Sequence, residues 1–181
     1  GFSFGPDLKD DMRQRVVDAC DIFVDVRDKS DRDVARLSRE YGIDIAVDLK
    51  GYTHDARPGI FAERCAPIQV SYLGFPGTMG ADYMDYLVAD RVVLPPQSQG
   101  DYSEKIIRLP HSYQANDSQR KISAKAFTRE DMGLPASGFV FCCFNNSYKI
   151  LPETFDSWMR ILKAVDGSVL WLLADAANLR K

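Results

Sequence analysis

The sequence predicts an α/β fold carried by parallel strands. Apolar residues alternate between helical and strand periods from Leu8 to Gly74. The connections between these segments are short, the signature of successive strand–helix units. After a polar stretch the same alternation restarts near Phe139.

Each segment has a local reason. Phe2-Ser3-Phe4 reads as the end of a strand. Leu8, Met12, Val16 and Cys20 form one helical stripe, expected to face the core. Asp21 to Val26 is a short strand with Ile22, Val24 and Val26 on one face. Ser30 or Asp31 caps a helix bearing Val34, Leu37 and Tyr41, which Gly42 ends. Ile43, Ile45, Val47 and Leu49 alternate as a strand, with Asp44, Ala46 and Asp48 on its other side. A short helix spans Ile60 to Arg64, and Ile68, Val70 and Tyr72 form a strand closed by Gly74. Residues 75–110 read as turn-rich, with one strand from Lys105 to Leu109. Beyond the polar stretch come a strand from Phe139 to Phe144 and a helix from Glu153 to Val165. That helix has Phe155, Trp158, Met159, Leu162 and Val165 on one face. Ser168 to Leu173 is a continuous apolar strand, the pattern of one buried on both sides.

Composition narrows the class. The 181 residues are 45% hydrophobic and 27% charged, with ten Phe, eight Tyr and two Trp, which argues against disorder. A net charge of −3 excludes an ordinary nucleic-acid module. No apolar run reaches the ~18 residues of a membrane helix, and none resembles a signal peptide, so no membrane association is expected. Cys20, Cys65, Cys142 and Cys143 are too irregular for a disulfide framework or zinc site, which points to the cytoplasm. Asp31-Arg32-Asp33 has the form of a metal-binding acidic pair but sits where helix-capping carboxylates belong, and no metal is expected. The chain opens at Gly1 without Met, and we expect a piece of a longer protein.

Three loops carry the candidate chemistry. In Phe144-Asn145-Asn146-Ser147-Tyr148-Lys149-Ile150-Leu151-Pro152-Glu153 a strand ends and a helix opens with Pro152 in its first turn. Free amides at a helix start with a lysine before them suit a phosphate. Lys149 would then stabilise a leaving diphosphate, with Asn145 and Asn146 bonding a nucleotide; the alternative is a capped loop with a solvated lysine. The second loop, Asp48-Leu49-Lys50-Gly51-Tyr52-Thr53-His54, offers Thr53 and the Gly51 amides to a phosphate, and His54 as base or donor. An exposed histidine in a plain turn is the alternative there, and His111 reads as hinge or surface. The third, Tyr72-Leu73-Gly74-Phe75-Pro76-Gly77-Thr78-Met79-Gly80, fixes an unusual backbone path and matches neither a dinucleotide nor a P-loop motif.

These loops, with Ala66-Pro67-Ile68-Gln69 before the third, Met84-Asp85-Tyr86, Tyr102-Ser103-Glu104-Lys105, Leu109-Pro110-His111 and Ser168 to Leu173, resemble the O-linked N-acetylglucosaminyltransferase (SPINDLY-like) family. The resemblance covers nearly the whole chain. It implies a GT-B fold of two Rossmann-like domains facing each other across a cleft, incomplete here at both ends. Residues 1–110 would be the rear part of the N-terminal catalytic domain, 111–125 a linker, and 126–181 the start of the nucleotide-sugar-binding domain.

The resemblance further implies transfer of N-acetylglucosamine from UDP-GlcNAc to Ser or Thr of an acceptor protein, inverting and without metal or other cofactor. Lys149 is similar to the family's diphosphate-contacting lysine; Asn146 stands where a glutamine contacts the nucleotide, and Tyr148 is counted with it. Leu73, Gly74, Pro76, Gly77 and Thr78 resemble the wall near the sugar, and Lys50 and Thr53 the loop facing phosphates and sugar. The family's first-domain histidine would lie before Gly1, its uridine-holding loops after Lys181, and its tetratricopeptide repeats upstream. This piece alone is therefore expected neither to bind donor tightly nor to turn over. A transferase using another donor, such as GDP-fucose, and a degenerate non-catalytic binding module are the alternatives.

Overall fold

A computed structural model describes residues 1–173; positions 174–181 of the stretch expected at 126–181 lie outside the described residues. The chain divides into two compact units, Gly1–Ser118 and the part from Gln119 onward.

In the first unit β1 (Phe2–Ser3) and β2 (Val24–Asp25) pair in parallel, with α1 (Asp11–Asp18) between them in sequence. There follow α2 (Asp31–Glu40), β3 (Ile45–Asp48), α3 (Gly59–Ala62), β4 (Ile68–Ser71), β5 (Tyr86–Ala89) and β6 (Lys105–Arg108). The last four strands form one parallel sheet in the order β3-β4-β5-β6. Ser30 caps α2: its Oγ accepts from the Asp33 amide at 3.2 Å and donates to the Asp33 carboxylate at 2.6 Å. Such a cap contributes about 1 kcal/mol. Asp31 is held instead by the Arg57 guanidinium, which also reaches the carbonyls of Val26 and Lys29. Both carboxylates of the acidic pair are thus spent on the helix start. The core joins Val34 and Ala35 of α2, Ile60 and Phe61 of α3, Val26, Cys65, Met79 and Met84. Burying a side chain the size of Val34 or Ile60 contributes about 1.5–3 kcal/mol.

A polar network locks β4 to the segment before β5. Gln69 is fully buried; its amide nitrogen donates to the carbonyls of Phe61 (2.9 Å) and Tyr83 (2.6 Å), and its oxygen accepts from the Cys65 amide (2.8 Å). Arg64, at φ +54°, donates to the Tyr83 and Pro67 carbonyls and grips both oxygens of Asp85 at 2.8 Å. Burial would raise the Asp85 carboxyl, but the Arg64 bonds and the Gln69 amide outweigh it and hold the group below its ordinary value.

Several expectations needed correction. β5 lies within the stretch whose composition reads as turn-rich, yet it is a central strand bounded by Asp85 and Asp90. The stripe of Leu8, Met12 and Val16 is exposed, and Arg13, Val17 and Cys20 are the partly covered residues of that segment. In β3 the periodicity left open which side is covered: Ile45, Val47 and Leu49 are exposed, while Asp48 is only 6% exposed and Ala46 packs on the core. The reason is that α2 and α3 pack on the sheet face that carries Ala46, which by strand alternation and register also carries Asp48, Gln69 and Ser71.

The second unit is a strand–helix–strand crossover: β7 (Val140–Cys143), a 3-10 turn at Ser147–Lys149, α4 (Pro152–Ala164) and β8 (Val169–Leu172). β7 and β8 pair in parallel from Val140↔Val169 to Cys143↔Leu172. Trp158, Met159 and Leu162 are the half-covered apolar residues of α4, while Phe155 is exposed. β8 is half-buried along its length rather than buried on both sides. Among the described residues no helix is long and apolar enough to cross a membrane.

Candidate active site

Parallel strands place the loops after β3 and β4 on one edge of the sheet, beyond the carboxyl ends where α/β proteins hold ligands. The loop after β3 begins with an Asx turn in which the Lys50 amide donates to Asp48 Oδ1 at 2.9 Å. Gly51 takes φ +57°, and a Cβ there would strike Phe75. Gly74 abuts the backbone of Leu49 and Lys50, where a Cβ would collide with the Leu49 carbonyl. Only glycine permits this approach, so the two loops are one packed unit. Leu73, at φ +74°, turns the chain into it.

The connection from β4 to β5 is then pinned along its length. Tyr52 Oη donates to the Met79 carbonyl at 2.9 Å and its ring meets Phe75 edge-on at 5.7 Å. Tyr102 Oη donates to the Pro76 carbonyl at 3.1 Å. Thr78 Oγ1 donates to Glu104 at 2.7 Å and accepts from the Gly80 amide at 2.9 Å. Gly77 lies against the Phe75 ring. Burial, and then the neighbouring Tyr52 phenol, push the Tyr83 phenol above its ordinary value. After β5, Asp90 accepts from the Val93, Tyr113 and Val92 amides, which hold its carboxyl below the usual range.

The structure therefore joins Lys50, Leu73, Gly74, Pro76, Gly77 and Thr78 in one loop assembly. Thr53 is exposed beside it, its amide bonded to the Gly51 carbonyl at 2.9 Å. His54 is solvated, its side chain 96% exposed, and its Nε2 lies 3.2 Å from Asp55. Sequence reasoning had given Glu104 no role. Its position before a strand and inside the quoted Tyr102–Lys105 segment was the available signal.

In the second unit Asn145, Asn146, Tyr148 and Lys149 lie in one exposed loop between β7 and α4. The 3-10 turn is closed by the Lys149 amide donating to the Asn146 carbonyl at 3.0 Å. Lys149 is exposed, with no carboxylate at ion-pair distance among the described residues. α4 opens on Leu151, which has no side chain able to cap it, and on Pro152, which has no amide hydrogen. The Glu153 and Thr154 amides at that helix start can meet an anion.

The described chain is thus a parallel α/β protein with strand-end loops assembled in its first unit and a lysine before a helix in its second. The chain belongs to glycosyl transferase family 41, whose profile matches residues 1–125 and 115–178. It is 46% identical over 169 residues to the probable UDP-N-acetylglucosamine–peptide N-acetylglucosaminyltransferase SEC of Arabidopsis thaliana, covering 90% of this chain and 17% of that protein. The SPINDLY counterpart of Petunia hybrida is 34% identical over 164 residues, with 88% and 17% covered. Among solved structures, a mutant O-GlcNAc transferase from Thermobaculum terrenum superposes with a TM-score of 0.79 at 33% identity. That match covers 94% of this chain and 31% of the other. The chain thus spans about a sixth of the length of the curated relatives it matches.

Proposed function

We propose that the protein containing this chain is a protein O-glycosyltransferase that moves N-acetylglucosamine from UDP-GlcNAc to Ser or Thr of an acceptor protein. Residues 1–110 belong to the rear of its N-terminal catalytic domain, 111–125 to a linker, and the stretch from 126 to its nucleotide-sugar domain. The observation that carries this reading is the family match through both units, together with an exposed Lys149 just before α4 that has no carboxylate partner among the described residues.

In this reading the acceptor hydroxyl oxygen bonds to the anomeric carbon as the bond to the diphosphate breaks, inverting that carbon, and the hydroxyl proton passes to the departing diphosphate or to solvent. Lys149 and the amides opening α4 take up the charge that develops on the departing diphosphate, so no metal is required. Asn146 and Tyr148 flank the nucleotide. Leu73, Gly74, Pro76, Gly77 and Thr78 form the wall for the sugar, with Lys50 and Thr53 beside it. Preorganised groups of this kind need not reorient during reaction.

The test is a donor screen on the full-length protein with UDP-GlcNAc and GDP-fucose, reading modified acceptor peptide by mass spectrometry. An added N-acetylhexosamine from UDP-GlcNAc, unaffected by chelator, is the expected result. Transfer of fucose alone would move the assignment to another donor, and no transfer from either would overturn it.

A further inference from the structure

Glu104 is 2% exposed, yet among the described residues it has no cationic partner. Buried carboxylates are normally paired, because burying an unpaired charge is costly. Here its balance comes from donors of a single loop. The Met79 amide donates to Oε1 at 2.6 Å, and the Thr78 hydroxyl donates to Oε2 at 2.7 Å. The neighbouring Ser103 hydroxyl adds a third bond to Oε2 at 3.2 Å. Glu104 immediately precedes β6, so the middle of the β4–β5 connection is tied to the start of that strand.

A carboxylate only accepts. The Thr78 proton must therefore point at Glu104, which leaves the Thr78 lone pairs to the Gly80 amide at 2.9 Å. The polarity of the whole turn follows from one charge. At its other end the connection is fixed where Gly74 abuts the Leu49 and Lys50 backbone. Leu73 to Gly77 are suspended between these two fixed points, and Tyr102 supports Pro76 from the same segment as Glu104.

We propose that Glu104 is a positioning residue for donor recognition, setting through Thr78 and Met79 the backbone path that Leu73 to Gly77 present to the sugar. This rests on the functional reading above. Glutamine at 104 has the same shape but the wrong polarity: if its oxygen serves Met79, its NH2 faces the Thr78 hydroxyl, which must then redirect its proton. Thr78→Val removes the same bond from the other side.

The test compares wild type, Glu104→Gln, Thr78→Val and the double variant in the full-length protein, well below their unfolding temperatures, by varying donor and acceptor separately. In both single variants the KM for UDP-GlcNAc rises about tenfold while the acceptor KM stays within about twofold, as displacement of one wall of a subsite requires. The double variant is no worse than the poorer single one, because both cut one connection. Should Glu104→Gln fail to fold, Glu104→Asp, which keeps the charge but draws it back from Thr78 and Met79, takes its place in the comparison. Active enzyme whose donor KM is unchanged, with only the unfolding temperature lowered, would overturn the inference and leave the transferase reading standing. A wild type inert towards nucleotide sugars would overturn both.

Discussion

Two of the three candidate loops are built on opposite plans. The connection after β4 spends its polar groups inward: Met79, Thr78 and Pro76 are tied by Glu104, Tyr52 and Tyr102, and Gly74 is wedged against a neighbouring backbone. The loop after β7 presents Asn146, Tyr148 and Lys149 outward, Tyr148 being 76% exposed. A wall for an uncharged sugar gains from rigidity, because its contacts are short and shape-dependent. A charge that meets a diphosphate acts over a longer range and can sit on a freer stem. The difference teaches that a shaped surface and a charged reach carry different mutational signatures, the first in stability and KM, the second in kcat.

That contrast can be broken most severely at Lys149. Lys149→Met in the full-length protein should lower kcat by about 10²–10³, comparable to losing one preorganised donor, with little change in unfolding temperature. Steady-state kinetics beside a thermal melt check both halves. Gly74→Ala should do the reverse: its Cβ meets the Leu49 carbonyl, costing about 1–3 kcal/mol of stability as overpacking does. Denaturant unfolding would show that loss, and a stability equal to wild type would mean the loops are not wedged.

A smaller effect is expected at Asp85, which underlies the rigid region. Its carboxyl is held below its ordinary value in the folded chain, so its contribution is present above the unfolded value of about 3.9 and lost as pH falls through the folded value. Asp85→Asn should be less stable than wild type at neutral pH, and the gap should close in acid; parallel curves from pH 7 to 3 would contradict the assignment. The smallest change is at Ser71, whose buried Oγ finds no partner among the described residues. Ser71→Ala should be neutral or stabilising by up to about 1 kcal/mol, since it removes an unsatisfied hydroxyl. A clear loss in the melt would show that the hydroxyl is used.

Sequence alone disclosed the strand–helix alternation, a cap at Ser30 or Asp31 and the loops at strand ends, because periodicity, cap chemistry and glycine spacing are local. It did not disclose which face of β3 is covered. Alternation says which residues share a side, whereas coverage depends on where α2 and α3 land, and they land over Asp48, Gln69 and Ser71. β5 was hidden because four residues flanked by turn formers carry too little pattern. Glu104 was hidden because its partners lie some 25 positions earlier, a pairing only the fold creates. The exposure of Lys149 was legible in outline from the polar loop around it.

In the proposed function Lys149 acts on the departing diphosphate during bond breaking, beyond merely holding the donor. A single-turnover measurement isolates that step: full-length enzyme in excess over radiolabelled UDP-GlcNAc, mixed rapidly with saturating acceptor peptide, for wild type and Lys149→Met. The observed rate of sugar transfer should fall by at least about 10² in the variant. A single-turnover rate equal to wild type, with only KM or product release altered, would contradict it.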